Sequence, residues 1–191
     1  MGGWAGPCLA GGRALIRVKA VTIVGNPIAP SRTRVLADAF SGVLAQLGAS
    51  VTTVDLALVP VDGLAHGRPE PESQAALDAV LGSDLLLIVT PIYKASYTGL
   101  LKLLFDGLPH ESLRGKVALP VIVGAWHGHF LVLDHALKPV LSALAATTTV
   151  KGLLVLETTI DRDARTVAPE VLDEFRPLAE EAVRLVGAVQ R

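Results

Sequence analysis

Asp84 to Thr90 reads DLLLIVT, an apolar run without alternation, and a strand sustains such a run only where both of its faces are buried. Sheets buried on both faces are parallel and lie between layers of helix. Val18 to Val24 (VKAVTIV) and Lys116 to Gly124 (KVALPVIVG) share that character, Gly152 to Leu156 is a shorter example, and Ser50 to Leu56 (SVTTVDL) is a less apolar one. Between these runs the apolar spacing turns helical: Thr33 to Leu47, closed by Gly48, then Glu72 to Leu81, Ser96 to Leu108, His129 to Ala146 and Pro169 to Val189. Val59 to Pro71, rich in Pro, Gly and His, is expected to be a loop.

Strand and helix alternating in this way predict an α/β fold with a doubly wound five-stranded parallel sheet of order 2-1-3-4-5. The chain reverses its winding between the first and third strands, so their carboxyl-end loops flank a ligand crevice. Those loops are Asn26 to Arg32 and Pro91 to Thr98. The length of 191 residues suits one domain, taken as residues 17–191, with 1–16 as a flexible extension or an upstream start.

A net charge of −1 with no basic run argues against a nucleic-acid partner. The single Cys8 excludes an internal disulfide and lies in a Gly-rich tail unsuited to a catalytic thiol, so a reducing, cytoplasmic setting is expected. The start lacks the form of a secretion signal and no run reaches the roughly 20 apolar residues of a spanning helix, so no membrane association is expected. A hydrophobic fraction of 51% against 18% charged residues suggests that part of the surface is covered by another subunit.

The first loop and the helix after it read GNPIAPSRTR. A helix amino end exposes unpaired N–H groups, Ser31 and Thr33 add hydroxyls, and Arg32 or Arg34 adds a guanidinium, a combination suited to phosphate. Helix capping with two solvated arginines is the competing reading. A dinucleotide fingerprint is excluded, because the corner holds only Gly25 and two prolines, Pro27 and Pro30, that lack N–H donors. LRGKV ends like a phosphate loop, but Val117 follows Lys116 and the earlier glycine is missing. In the second loop, TPIYKASYTG gathers both tyrosines of the chain, Tyr93 and Tyr97, where a flat conjugated ligand could lie. Capping of the sheet edge is the alternative there. In the third, VGAWHGHF brings Trp126 to the end of the fourth strand; His127 and His129 lack a third ligand at metal-binding spacing and read as polar lining or helix caps. His66 and His110 read as surface.

Phe130, Leu131, Val132, Leu133, Leu137, Val140, Leu141 and Leu144 wrap most of their helix, which predicts a second protein surface against it. Pro139 cannot donate to the carbonyl of His135, so a kink or widened turn is expected there.

TPIYKASYTGLLKLLFD and DHALKPVLSALAA, with GNPIAPSRT and LRGKVALPVIVG, resemble the NADPH-dependent FMN reductases of the flavodoxin-like superfamily, in particular those paired with sulfonate-degrading monooxygenases. The likeness runs from about Val18 to Leu156. It implies FMN with its phosphate on Ser31, Arg32 and Thr33 and its ring along Pro91, Ile92, Tyr93, Lys94, Ala95, Ser96 and Tyr97. Gly124, Ala125 and Trp126 would complete the ring site, although relatives often carry glycines and a small hydroxyl residue at these three positions. NADPH or NADH would pass a hydride to the flavin with no catalytic side chain beyond those that position it. Reduced flavin would go to a separate monooxygenase, and the protein would be a homodimer or homotetramer. His135 stands where such relatives tend to carry a tyrosine in a widened turn at a subunit interface. Tightly held FMN serving quinone or azo reduction is a second enzymatic reading. A flavodoxin-like electron carrier is a third, disfavoured by the near-balanced charge.

Overall fold

The computed structural model describes residues 17–189. The expected extension 1–16 lies outside them. Leu85–Pro91 forms the central strand, β3 in chain order, and its side chains alternate between two apolar layers: Leu85, Leu87 and Val89 into one, Leu86 and Ile88 into the other. β1 (Lys19–Val24) and β2 (Ser50–Asp55) lie on one side of it, β4 (Val117–Gly124) on the other. The order is β2-β1-β3-β4, with β5 (Thr148–Thr149) and β6 (Leu153–Leu156) both on the outer edge of β4, and every pairing is parallel. The 2-1-3-4-5 winding is therefore borne out, with the fifth strand in two pieces. The interruption lies opposite Pro120, which has no N–H for the ladder, and Gly152 crosses it with a φ of +86°, where a Cβ would come within 2.9 Å of the Pro120 carbonyl oxygen.

One layer holds α1 (Arg32–Gln46) and α6 (Pro169–Val189), joined by Phe40 stacked on Phe175 with ring centroids 3.6 Å apart. The other holds α3 (Pro71–Leu81) and α4 (Gly99–Asp106), together with the segment after β4. The loop expected at Val59 to Pro71 contains one short turn of helix, α2 (Asp62–Ala65). A hairpin that the sequence did not announce, β7 (Ile160–Asp161) with β8 (Thr166–Val167), links β6 to α6.

The long helix expected at His129 to Ala146 is instead composite. A 3₁₀ turn spans His127–Phe130, Leu131 and Val132 are α-helical, a π turn spans Leu133–Leu137, and α5 (Lys138–Ala143) resumes the α-helix. The Lys138 N–H reaches back five residues to the Leu133 carbonyl. One residue later Pro139 offers no N–H, so the wide turn absorbs the discontinuity that an α-helical ladder would leave at His135.

The first and second loops are tied by one side chain. Thr98 begins α4; its Oγ1 accepts from the Leu101 N–H at 3.2 Å and donates to the Gly25 carbonyl at 2.6 Å, and the residue is 1% exposed. Thr98→Val removes a cap and strands a buried carbonyl, so it should cost about 2–3 kcal/mol of unfolding free energy, while Thr98→Ser should retain most of it. Urea titration with an unchanged slope measures this, and a loss below about 0.5 kcal/mol would show that the bond contributes little.

Candidate active site

At the carboxyl end of β1, the Gly25 N–H donates to the Val89 carbonyl at 2.7 Å, and a Cβ on Gly25 would sit 3.0 Å from the Thr90 side chain. The loop beyond is organised by Asn26. Its Oδ1 accepts from the Ile28 N–H at 2.9 Å and its Nδ2 donates to Thr33 Oγ1 at 3.0 Å. Ser31 caps α1 by accepting from the Arg34 N–H at 3.1 Å. Both hydroxyls thus act as acceptors toward the protein, and each keeps its own proton to donate elsewhere. Capping and anion binding, alternatives in the sequence, are compatible in the structure.

The two arginines of this corner differ. Arg34 donates from Nε to Asp38 at 2.8 Å and from Nη1 to Asp55 at 3.0 Å. Its pKa is raised by the Asp38 hydrogen bond first, against desolvation, with Asp55 adding to the rise. Arg32 is exposed, lines the crevice and makes no ion pair among the described residues.

In the second loop, Lys94 and Ala95 adopt φ of +50° and +61°, and Tyr93 and Ser96 exchange backbone hydrogen bonds at 2.8 and 3.1 Å around them. Pro91, Ile92 and Tyr93 line the crevice. Lys94 and Ala95 form the exposed tip, with Ser96 closing the turn. Tyr97 packs against the α3/α4 layer, and this burial raises its pKa. The structure therefore separates the two tyrosines that the sequence places together.

The third loop contributes Gly124, Ala125 and His129 to the lining. A Cβ on Gly124 would lie 3.0 Å from His129 Nδ1 and 3.1 Å from Ile92, so glycine lets the walls close here. His129 Nδ1 is buried and has no hydrogen-bond partner among the described residues. Trp126 stands on the rim, 66% exposed, with its ring edge-on to His129 at 5.9 Å.

Together these segments enclose a solvent-open crevice of about 290 Å³ beyond the carboxyl ends of β1, β3 and β4. Its remaining wall includes Asn26, Glu157 and Arg162, which sequence reasoning did not nominate. Asn26 carries a legible signal, a short amide side chain after a strand, whereas Glu157 and Arg162 arrive through a hairpin with two-residue strands, too short for any periodicity. No group of three or more His, Cys, Asp or Glu gathers in metal-binding proximity among the described residues.

A Cβ on Gly128 would fall 1.8 Å from the Trp126 ring. Gly128→Ala must therefore displace that ring, and near-ultraviolet circular dichroism should lose the Trp126 contribution while unfolding free energy changes little; an unaltered spectrum would contradict the packing.

The family model described as NADPH-dependent FMN reductase matches residues 18–160. An FMN reductase (NADPH) of Pseudomonas putida strain KT2440 is 40% identical over 134 residues, 70% of this chain and 68% of the relative. A solved apo NADH:FMN oxidoreductase superposes with a TM-score of 0.78 at 32% identity, covering 87% of this chain and 88% of its own. An archaeal flavodoxin, at 14% identity and a TM-score of 0.58 over 88% of this chain and 99% of its own, shares the fold. With a flavodoxin-like sheet, a crevice at its winding reversal and matches that span most of its length, the chain belongs to the NADPH-dependent FMN reductase family and is an NAD(P)H-dependent FMN oxidoreductase.

Proposed function

We propose that the chain takes FMN as a dissociable substrate, reduces it with NADPH or NADH and releases it to a separate flavin-dependent monooxygenase of the sulfonate-degrading type. The observation that carries the flavin placement in this reading is the crevice itself, which joins the proton-bearing hydroxyls of Ser31 and Thr33 and the exposed Arg32 to the wall of Pro91, Ile92 and Tyr93. FMN fits that division, with its phosphate at Ser31, Arg32 and Thr33 and its ring toward Gly124 and Ala125. When bound, FMN supplies a conjugated ring whose N5 accepts the hydride of the nicotinamide C4. The tasks left to the chain are to neutralise the phosphate, hold the ring against Ile92 and Tyr93, and keep one ring face open for the nicotinamide.

Weak retention of flavin is supported by the shape of the site. Tyr93 and Trp126 are 43% and 66% exposed at its rim, so little apolar wall closes over a ring. NADPH oxidation should therefore saturate with added FMN, and the purified protein should be colourless. A yellow protein whose rate ignores added FMN would favour the alternative, FMN held for quinone or azo reduction.

Ser31→Ala combined with Arg32→Ala should weaken FMN binding by about 2–4 kcal/mol, read from quenching of flavin emission. Unchanged affinity would remove the phosphate from this corner.

A homodimer or homotetramer is part of the same proposal. Val132, Leu133, Leu137 and Leu141 are buried within the fold, leaving exposed Leu131 beside half-buried Phe130, Val140 and Leu144 as the surface for a second copy. Sedimentation at micromolar concentration should give a dimer or tetramer, and a monomer would refute the assignment.

A further inference from the structure

Among the described residues, the cations around α1 divide into two sets. Arg34 is spent on Asp38 and Asp55, and Arg165 donates to the same Asp38 at 3.2 Å. Arg32 and Arg162 are different: both line the crevice, and both also line a shallow depression beside it with Thr158, Ile160, Asp161 and Asp163. The two guanidinium groups thus stand on the partition between the crevice and its neighbour.

Arg162 is held there by a hairpin anchored at both its base and its tip. Ile160 is 3% exposed in the α1/α6 layer, and β7 and β8 pair Ile160 with Val167 and Asp161 with Thr166. Asp161 closes the turn by accepting from the N–H groups of Asp163 and Ala164 at 2.9 and 2.8 Å, and the Arg165–Asp38 pair fastens the tip to α1. The backbone that carries Arg162 is therefore anchored to the helix that begins the proposed phosphate corner.

The ion pair of Arg162 is a weak one. It joins Nε to Asp163 Oδ1 at 3.0 Å, with side-chain exposures of 50% and 85%. Exposed pairs of this kind contribute little, so Asp163 does not commit the guanidinium, which can turn to a phosphate oxygen instead. The carboxylates that face the position are Asp161, engaged by the turn, Asp163, which would be released to water, and exposed Glu157 on the crevice wall. A phosphate monoester carries close to two negative charges, and the first loop turns only one uncommitted guanidinium, Arg32, toward it.

We infer that Arg162 is a second phosphate-binding guanidinium of this crevice, acting with Arg32 on a substrate phosphate. The inference rests on the flavin placement proposed above. Two phosphates share this chemistry: the 5′-phosphate of FMN and the phosphates of the nicotinamide dinucleotide.

The test uses the full chain with Arg162→Gln, Arg162→Lys and, as a reference for the corner, Arg32→Gln. Quenching of emission is titrated with FMN and with riboflavin, which lacks the phosphate, and steady-state KM is measured for NADPH and NADH. If the flavin phosphate is the partner, Arg162→Gln should weaken FMN about tenfold or more, leave riboflavin within twofold, and be partly restored by lysine. If the dinucleotide is the partner, FMN affinity stays constant and the KM for NADPH rises about tenfold, with NADH following only when the shared pyrophosphate is held. Equal loss of FMN and riboflavin, or no change with any of the four ligands, overturns the inference. Selective FMN loss in Arg32→Gln, with none of the four ligands affected by Arg162→Gln, would leave the flavin placement standing while Arg162 falls. Wild-type protein that fails to quench FMN would overturn both.

Discussion

The hydroxyl of Thr98 fixes the distance between the two loops on which the crevice depends. It reads the end of β1 through the Gly25 carbonyl and the start of α4 through the Leu101 N–H, so one buried group sets both. Gly25 makes that approach possible, since any side chain there would press on Thr90. Loops usually carry function on a rigid scaffold with freedom to move. Here the loops themselves are cross-braced, from Gly25 to Val89 along the backbone and from Asn26 to Thr33 by side chains, which suits a site whose work is positioning.

The distribution of charge follows the same economy. Asp38 and Asp55 hold Arg34 beneath the corner, and Asp38 also receives Arg165 from the hairpin. A chain with a net charge of −1 has no long-range field with which to attract an anion, so its attraction must be local. Neutralising some arginines with carboxylates while leaving Arg32 toward the crevice gives that local bias without a basic surface.

The fold was legible where burial on both faces forced an uninterrupted apolar run. β1, β3 and β4 lie where VKAVTIV, DLLLIVT and KVALPVIVG place them, because a strand between two helical layers has no polar side to disguise it. Pro139 likewise foretold the widened turn, since a missing N–H is a property of the sequence itself. The split fifth strand was not legible: its cause, Pro120, lies on the neighbouring strand, and only the register brings it opposite the gap. The site divides along the same line. Ser31, Arg32 and Thr33 stand together because they are consecutive at one helix end, whereas Arg162 reaches the same wall from about 130 residues away through a hairpin too short to announce itself.

The separation of Tyr93 from Tyr97 has a local cause with consequences for any ring bound beside Tyr93. Two successive residues at positive φ, neither of them glycine, fold the backbone back on itself at Lys94 and Ala95. Non-glycine residues there carry strain of order 1 kcal/mol or more each, so the tight turn persists only because the Tyr93–Ser96 pair and the capped start of α4 hold it. The sequence offers no glycine to signal it, and the tyrosines look like two halves of one clamp. In the folded chain one borders the crevice and the other packs, half-buried, against the layer that holds α4. A ring at Tyr93 would then meet one tyrosine of the second loop and not a pair. One-sided contact would leave the opposite face open to the nicotinamide and would limit the area that retains the flavin, as the proposed release of reduced FMN requires.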